Sequence, residues 1–316
     1  MIVKAGTRQE NIENSSVSNF AGYGALNGTE KYSKNKIDEV VDSIGGQLTV
    51  KVEREITEFT LSFESNCLSQ AVELLSQLVL RPNFDATEHE ALKASIHARA
   101  CSMDPETISM ESVHYTAFRD HYLGQPSTGN KDVVYSITPE QVKEFHNNHY
   151  VGKNIVVSGA GEIDGKALAS EVSNHFGNAP ASRISEVPNS DQPFFTPSLL
   201  YQRDDEMLNT CFSVAFVAPT MNDPDFFAMN YFKRIIGDYR VDQFVGEHLN
   251  SPHLQYNSFH SWLGKYPDMI LHKPFYFTYS DTALFGNFIY GNEMFTPEMA
   301  ITPQNQLSVY AQYVRI

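Results

Sequence analysis

The chain has 316 residues, enough for two domains with apolar cores, because 41% of the residues are hydrophobic and 12% are aromatic. A formal charge of −15 and a pI near 5.1 argue against nucleic-acid binding and favour basic partners over acidic ones. No stretch approaches the ~18 to 20 apolar residues of a membrane span, and the three widely spaced cysteines predict neither a disulfide framework nor a metal knuckle.

The first half of the chain predicts an antiparallel hairpin followed by helices. Apolar residues alternate on both sides of the charged pair Arg54-Glu55, which is typical of strands with one buried face. An apolar stripe that ends before Pro82 predicts the next helix, and Thr138-Pro139-Glu140-Gln141 is a capping box. In chain order the predicted elements are strands at 48–52 and 59–63 and helices at 66–80, 85–104, 106–122 and 138–149.

The rest of the chain repeats this order after a proline-rich segment. A short strand at 155–157 and a helix at 164–175 close the first unit, and four prolines between 177 and 197 indicate a linker. The second unit predicts a strand at 211–218, a helix at 223–237, a hairpin at 275–290 and a final helical stretch. We therefore predict an α+β fold of two similar domains, with a first domain at 1–178, a linker at 179–198 and a second, incomplete domain at 199–316.

Several segments resemble one family. They are VKAGTRQE (3–10), NFAGYGALNGTEKYS (19–33), IGGQLTVKVEREITEFTLSF (44–63), YLGQPSTGNKDVVYSITPEQVKEFHNNHY (122–150), IVVSGAGEID (155–164), APTMNDPDFFAMNYFKRIIGDYR (218–240) and FTYSDTALFGNFIYG (277–291). Together they resemble the mitochondrial processing peptidase β-subunit family, a pitrilysin-type metallopeptidase family, and within it the core proteins of ubiquinol-cytochrome c reductase. The resemblance implies two similar α+β domains, of which the second is truncated here; either the sequence is a fragment or a further chain completes that domain.

The resemblance also implies a lost zinc site. Active members carry H-x-x-E-H on a helix, where two histidines bind the metal and the glutamate activates water. In this chain those positions hold Asn19, Gly22 and Tyr23, and the third ligand aligns with His97 to within about one helical turn. The expectation is a pseudo-metallopeptidase with degenerate positions at these four residues, and with no bound metal or cofactor.

Other polar residues have a structural and a functional interpretation. His146 and His149 could be ligands, but near a helix C-terminus they more often complement exposed carbonyl groups. Acidic residues in one region could meet a basic peptide, as they do in processing members of the family, but a solvated helix face is the favoured interpretation. These acidic residues are Asp104, Glu106, Glu111 and Asp120.

The resemblance implies a non-catalytic core subunit of mitochondrial respiratory complex III, with a structural role on the matrix side of the inner membrane. Its expected partners are a second core or processing-peptidase-like subunit, cytochrome b and cytochrome c1, and the chain would be peripheral to the membrane. The alternative is a non-catalytic subunit of the processing peptidase that binds presequences, which the acidic charge would suit. A third hypothesis is an enzyme with unusual ligands, for which bound zinc is the test.

Overall fold

The computed structural model describes residues 1–119, 121–181, 192–203, 205–240 and 268–292, with six single residues beyond them at 294, 300, 301, 304, 305 and 308. These residues form two compact units. The first consists of residues 1–103 and 120–191, and the second of residues 104–119 and 192–316. Each unit contains an antiparallel four-stranded sheet with helices packed on it, so the predicted α+β class is confirmed.

The first unit contains four strands in the order β2-β3-β1-β4 and six helices. Its strands are β1 (Ile2–Val3), β2 (Gln47–Val52), β3 (Thr57–Ser62) and β4 (Ile155–Val156). Its helices are α1 (Val17–Gly24), α2 (Lys34–Ser43), α3 (Leu68–Leu80), α4 (Ala86–Cys101), α6 (Pro139–His149) and α7 (Gly165–Phe176).

The core of the first unit lies between the sheet and helices α1, α3 and α6. Phe20 and Ala21 on α1, Phe59 on β3 and Val79 on α3 are fully buried and belong to one apolar cluster with Val142 on α6. The alternation of buried and exposed residues along β3 directs Phe59 inward, as the period of two of a strand requires. The helix α1 is therefore held on the sheet by its own apolar residues.

The second unit contains a sheet in the order β5-β8-β7-β6 and two helices. Its elements are α5 (Pro105–Ala117), β5 (Asn209–Val217), α8 (Phe226–Ile236), β6 (Tyr239–Arg240), β7 (Met269–Thr278) and β8 (Ala283–Asn292). A small apolar core joins α8 to this sheet through Ile236, Met269, Phe285 and Ile289. Within the described ranges, no helix is both long and apolar enough to cross a membrane.

The predicted hairpins and most predicted helices are confirmed, but some bounds are wrong. The helix predicted at 106–122 ends at Ala117, because the fully buried Phe118 leaves the helical conformation. The helix predicted from 223 begins at Phe226, because the Asp223 side chain accepts hydrogen bonds from the amide and hydroxyl of Thr220 in a preceding turn. Helix α2 was not predicted, since its sequence is mostly polar and only Ile37 is buried.

Helix α5 contacts β5 and belongs to the second compact unit, although it lies within residues 1–178. The Ser109 and Ser213 hydroxyls are 2.6 Å apart between α5 and β5, and Lys273 on β7 pairs with Glu106 at 2.5 Å. A boundary drawn along the sequence therefore does not separate the two packed bodies. The domain bounds at residues 178 and 198 stay a prediction.

Candidate functional site

The N-terminus of α1 is held by a buried carboxylate from outside the helix. Glu10 is fully buried and accepts hydrogen bonds from the Ser16 amide at 2.9 Å, the Ser18 amide at 2.8 Å and the Ser18 hydroxyl at 2.5 Å. A negative group at a helix N-terminus satisfies free amides and favours the helix dipole. The Ser16 backbone is left-handed, with φ of 97°, and its hydroxyl accepts from the Asn130 amide at 2.7 Å. These contacts fix where α1 begins.

Burial raises the pKa of Glu10 to about 7, against the opposing effect of its hydrogen bonds to Ser18 and Ser16. The group therefore titrates near neutral pH although it lies away from solvent. Its partners are all structural, at the start of the helix that carries positions 19, 22 and 23. We assign Glu10 to positioning α1.

The side chains at positions 19 and 22 of α1 do not supply catalytic groups. Asn19 is buried, and its Nδ2 donates to the Ser127 carbonyl at 3.3 Å. Gly22 is buried against the sheet, and a Cβ atom added there would lie 2.6 Å from Cγ2 of Val52 and 3.3 Å from Cγ2 of Thr57. A glutamate at position 22 would thus require Val52 to move. The packing of α1 on β2 is adapted to glycine.

Tyr23 contacts α4 through a cation rather than through a metal. The Arg99 guanidinium lies 3.9 Å from the centre of the Tyr23 ring, a cation–π contact. His97, the residue that the alignment favoured, packs its ring 5.1 Å from that of Tyr135 and has Cys101 Sγ at 3.8 and 3.9 Å from its two nitrogens. Arg99 lies within the one-turn uncertainty of the alignment, and sequence reasoning missed it because a cation–π pair leaves no local pattern.

The donor set at these four positions does not fit a zinc ion. Position 19 offers an amide that is already hydrogen bonded, position 22 offers no side chain, and position 23 faces a cation that would repel a metal. In the ranges that the structure describes, no group of three or more His, Cys, Asp and Glu side chains could hold a metal ion. No catalytic step through zinc is derived from this arrangement.

A cleft of about 550 Å³ lies beside Tyr23 in the first unit. It is lined by residues from α1, α2, β2 and α4, and its apolar lining consists of Leu26, Ile37, Val41, Leu48, Leu92 and Ile96. Its charged lining consists of Lys34, Asp38 and Asp42 on α2 and Arg99 on α4. The strand β2 lies at the edge of the described sheet and contributes Gln47 and Leu48 to the cleft.

The histidines of α6 have structural partners. His146 Nε2 lies 2.8 Å from the carbonyl oxygen of Val79, in the last turn of α3, and its ring stacks on Tyr150. Burial lowers the pKa of His146 to about 4, so the neutral ring donates to this carbonyl at neutral pH. His149 packs on Phe145. The expected carbonyl bond thus exists for His146, but its acceptor belongs to a neighbouring helix.

The acidic residues also have structural partners where they are described. Asp104 is the N-cap of α5 and accepts from the Thr107 amide at 3.1 Å and hydroxyl at 2.6 Å. Glu106 pairs with Lys273. Asp120 lies outside the described residues. The hypothesis that this group meets a basic peptide stays a prediction.

The family follows from comparison with known proteins. Residues 1–131 match the family described as Insulinase (Peptidase family M16), and residues 136–267 match the Peptidase M16 inactive domain. The chain belongs to the M16 peptidase family. The inferred resemblance is therefore confirmed at the level of the family, and the two matched domains agree with the two-domain fold.

Curated relatives are mitochondrial-processing peptidase β subunits. The one from Dictyostelium discoideum is 26% identical over 295 residues, covering 90% of this chain and 61% of its own length. The one from Homo sapiens is 25% identical, with 90% and 57% covered, and the one from Saccharomyces cerevisiae is 25% identical, with 80% and 55% covered. The chain thus spans a little more than half the length of these relatives.

Two solved structures share the fold. A protease from Helicobacter pylori superposes with a TM-score of 0.80 at 16% identity, covering 98% of this chain and 73% of its own. A chain of complex III2 from Candida albicans, solved with Inz-5 bound, gives a TM-score of 0.77 at 19% identity, covering 98% and 70%. Because one is a protease and the other a chain of a respiratory complex, the fold alone does not distinguish these roles.

Proposed function

We propose that this M16-family chain is a non-catalytic core subunit of mitochondrial respiratory complex III, with a structural and assembly role on the matrix side of the inner membrane. The observation that carries the non-catalytic part is Gly22. At the position where active members place the general base there is no side chain, and Val52 occupies the space that one would need. Binding of a zinc-activated water would also require ligands that Asn19 and Tyr23 do not supply.

An exposed apolar stripe supports the assembly role. On α8, Phe227, Tyr231 and Ile235 are 75%, 74% and 60% exposed and follow one another at intervals of four residues, which places them on one face of the helix. Contiguous exposed apolar residues are typical of protein–protein contacts. The proposed partners are a second core or processing-peptidase-like subunit, cytochrome b and cytochrome c1, with a further chain completing the second domain. No cofactor or nucleic acid is part of this proposal.

A second candidate function is presequence binding as a non-catalytic subunit of the processing peptidase. The curated relatives are processing-peptidase subunits, and β2 leaves one edge of the described sheet available beside the cleft. An extended peptide can add to such an edge through backbone hydrogen bonds. The net charge of −15 would attract a basic peptide.

The experiment that separates the two functions is native fractionation. Mitochondrial membranes are extracted with a mild detergent, complexes are separated natively, and each band that contains the chain is analysed by mass spectrometry and haem absorbance. Co-migration with cytochromes b and c1 is the expected result for a complex III subunit. A soluble, haem-free heterodimer with an H-x-x-E-H partner would overturn this proposal and favour presequence binding.

Metal analysis of the purified chain tests the non-catalytic part separately. We expect zinc far below one equivalent per chain after dialysis against zinc and removal of loosely bound metal. Stoichiometric zinc in a chain that retains Asn19 and Tyr23 would contradict the proposal and favour the third hypothesis, an enzyme with unusual ligands.

A further inference from the structure

The Arg99 guanidinium is held in one orientation but has no acidic partner. Its Cζ lies 3.9 Å from the centre of the Tyr23 ring, and it lines the cleft of about 550 Å³ in the first unit. Among the hydrogen bonds and ion pairs of the described residues, none involves the Arg99 side chain. A guanidinium stacked by its face on an aromatic ring keeps its N–H edge available for a carboxylate, which it can bind with two parallel hydrogen bonds.

The rest of the cleft is suited to an apolar chain. Leu26, Leu92 and Ile96 line it near Tyr23 and Arg99 on α1 and α4, and Ile37, Val41 and Leu48 continue the apolar lining on α2 and β2. A cleft of this volume is within the range that holds small organic ligands, which is about 300 to 1,000 Å³. The cleft is open, so a ligand can enter without unfolding of the unit.

The charges of the cleft are divided between two walls. Helix α4 contributes the cation Arg99, whereas α2 contributes Lys34, Asp38 and Asp42. An anionic group would therefore meet a favourable charge at α4 and a net unfavourable one at α2. This division orients a ligand with its anionic end at Arg99 and its apolar part along the lining of α1 and β2.

We propose that this cleft binds an organic monocarboxylate, with the carboxylate on the Arg99 guanidinium and an apolar chain against Leu26, Leu92 and Ile96. The shared chemistry is one carboxylate at the end of an apolar chain, which a free medium-chain acid and the C-terminus of an apolar peptide both provide. Tyr23 is a positioning residue, because it fixes the plane of the guanidinium. This inference concerns a ligand, and it does not depend on the assembly proposed above.

The test is binding of octanoate to the full chain, measured by calorimetry and ligand-observed NMR. We expect saturable binding that weakens at least tenfold in Arg99→Gln, and severalfold in Tyr23→Leu, which keeps the charge but removes the stacked ring. The control Arg81→Gln changes the same charge at an exposed residue outside the cleft and should bind like the wild type. Equal binding by wild type and Arg99→Gln would overturn the proposal.

Matched ligands separate charge from apolar contact. Octan-1-ol has the same chain without the carboxylate and should bind at least tenfold more weakly, whereas tighter binding of octylammonium would show that Asp38 and Asp42 dominate and would overturn the proposal. Acetyl-Leu-Leu-Leu as the free acid and as the amide identifies the source. An Arg99-dependent preference for the acid over both octanoate and the amide would support the proposal with a peptide C-terminus as the occupant.

Circular dichroism and denaturant unfolding of each variant show whether it folds. Arg99 is exposed, so Arg99→Gln should unfold at the same denaturant concentration as the wild type. Arg99→Lys provides a second readout, because it keeps the charge but loses the planar fork. We expect octanoate binding between those of the wild type and Arg99→Gln, and binding equal to that of the wild type would contradict the proposed two-bond geometry.

Discussion

Glu10 in the first unit and Asn287 in the second are both fully buried polar side chains, yet they differ in their hydrogen bonds. Glu10 accepts from two amides and a hydroxyl, whereas neither Oδ1 nor Nδ2 of Asn287 bonds to any residue in the described part of the chain. A buried polar group without partners costs about 1 to 3 kcal/mol. The first unit satisfies its buried charge locally, and the second retains an unsatisfied amide in its sheet.

The helices of the two units differ in the same direction. Seven of the eight residues of α1 are buried, whereas Ile236 alone is buried along α8 and the opposite face exposes Phe227 and Tyr231. Apolar contact area is the main source of folding free energy. The difference indicates that the first unit is complete as a folded body, and that the second presents surface that a partner would cover, as the assembly proposal requires.

The largest expected effect is on the sheet of the second unit. A Cβ atom at Gly286 on β8 would lie 2.0 Å from the carbonyl oxygen of Val214 and 2.5 Å from Cζ of Phe275. We expect Gly286→Ala to lower the free energy of unfolding by about 3 kcal/mol or more, since a backbone atom cannot move aside as a side chain can. Chemical denaturation measures this loss. Gly165→Ala is the control, because nothing lies within 4 Å of its Cβ position and the change should be neutral or slightly stabilising.

The buried carboxylate of the first unit should give a loss that depends on pH. We expect Glu10→Gln to destabilise the chain by about 1 to 3 kcal/mol at pH 5, because an amide cannot accept from all three donors. The pKa of Glu10 in the folded state is about 7, above its ordinary value of 4.5, so the folded state binds more protons between these values. The wild type therefore loses this stability as pH rises from about 4.5 to 7.

The measurement is the difference in unfolding free energy between wild type and Glu10→Gln at several pH values from 5 to 8. We expect the difference to shrink as pH rises. A difference that grows with pH would show that the hydrogen bonds outweigh the burial of the charge, and the assigned direction of the pKa would be wrong.

A substitution of opposite sign sharpens the comparison in the second unit. Asn287→Leu removes two buried polar atoms that have no bonds in the described residues, so we expect an increase of about 1 to 2 kcal/mol in the free energy of unfolding. Asn154→Leu is the matched control, because Nδ2 of Asn154 donates to the His149 carbonyl at 2.9 Å and its loss should destabilise. Destabilisation by both changes would show that the Asn287 amide has partners in the folded protein.

The smallest effect on stability, and the most direct test of the exposed stripe, comes from α8. We expect Phe227→Ser and Tyr231→Ser each to change the unfolding free energy of the isolated chain by no more than about 0.5 kcal/mol, since both side chains are exposed. The same changes should reduce co-migration with partner subunits in native separation. Ile12→Ser, an exposed apolar residue of the first unit, is the control and should leave co-migration unchanged. Unchanged co-migration of the α8 variants would remove the stripe from the assembly surface.

Much of the fold could be predicted because its elements have strong local signals. The alternation around Arg54-Glu55 and the stripe that ends before Pro82 each depend on neighbours a few residues apart. Helix α2 escaped prediction because it has few apolar residues, and the end of α5 depended on the burial of Phe118. Placement of α5 in the second unit depends on contacts with β5 that are about 100 residues away along the chain.

For the candidate site, the sequence by itself determined which functional groups are missing, because the types of residue at 19, 22 and 23 decide what chemistry is available. The tertiary structure alone decided what replaced them. Val52 fills the space beside Gly22, Arg99 rather than His97 meets Tyr23, and the cleft assembles from four elements. These facts depend on distances between side chains that are far apart in the sequence, and local residue patterns do not encode such distances.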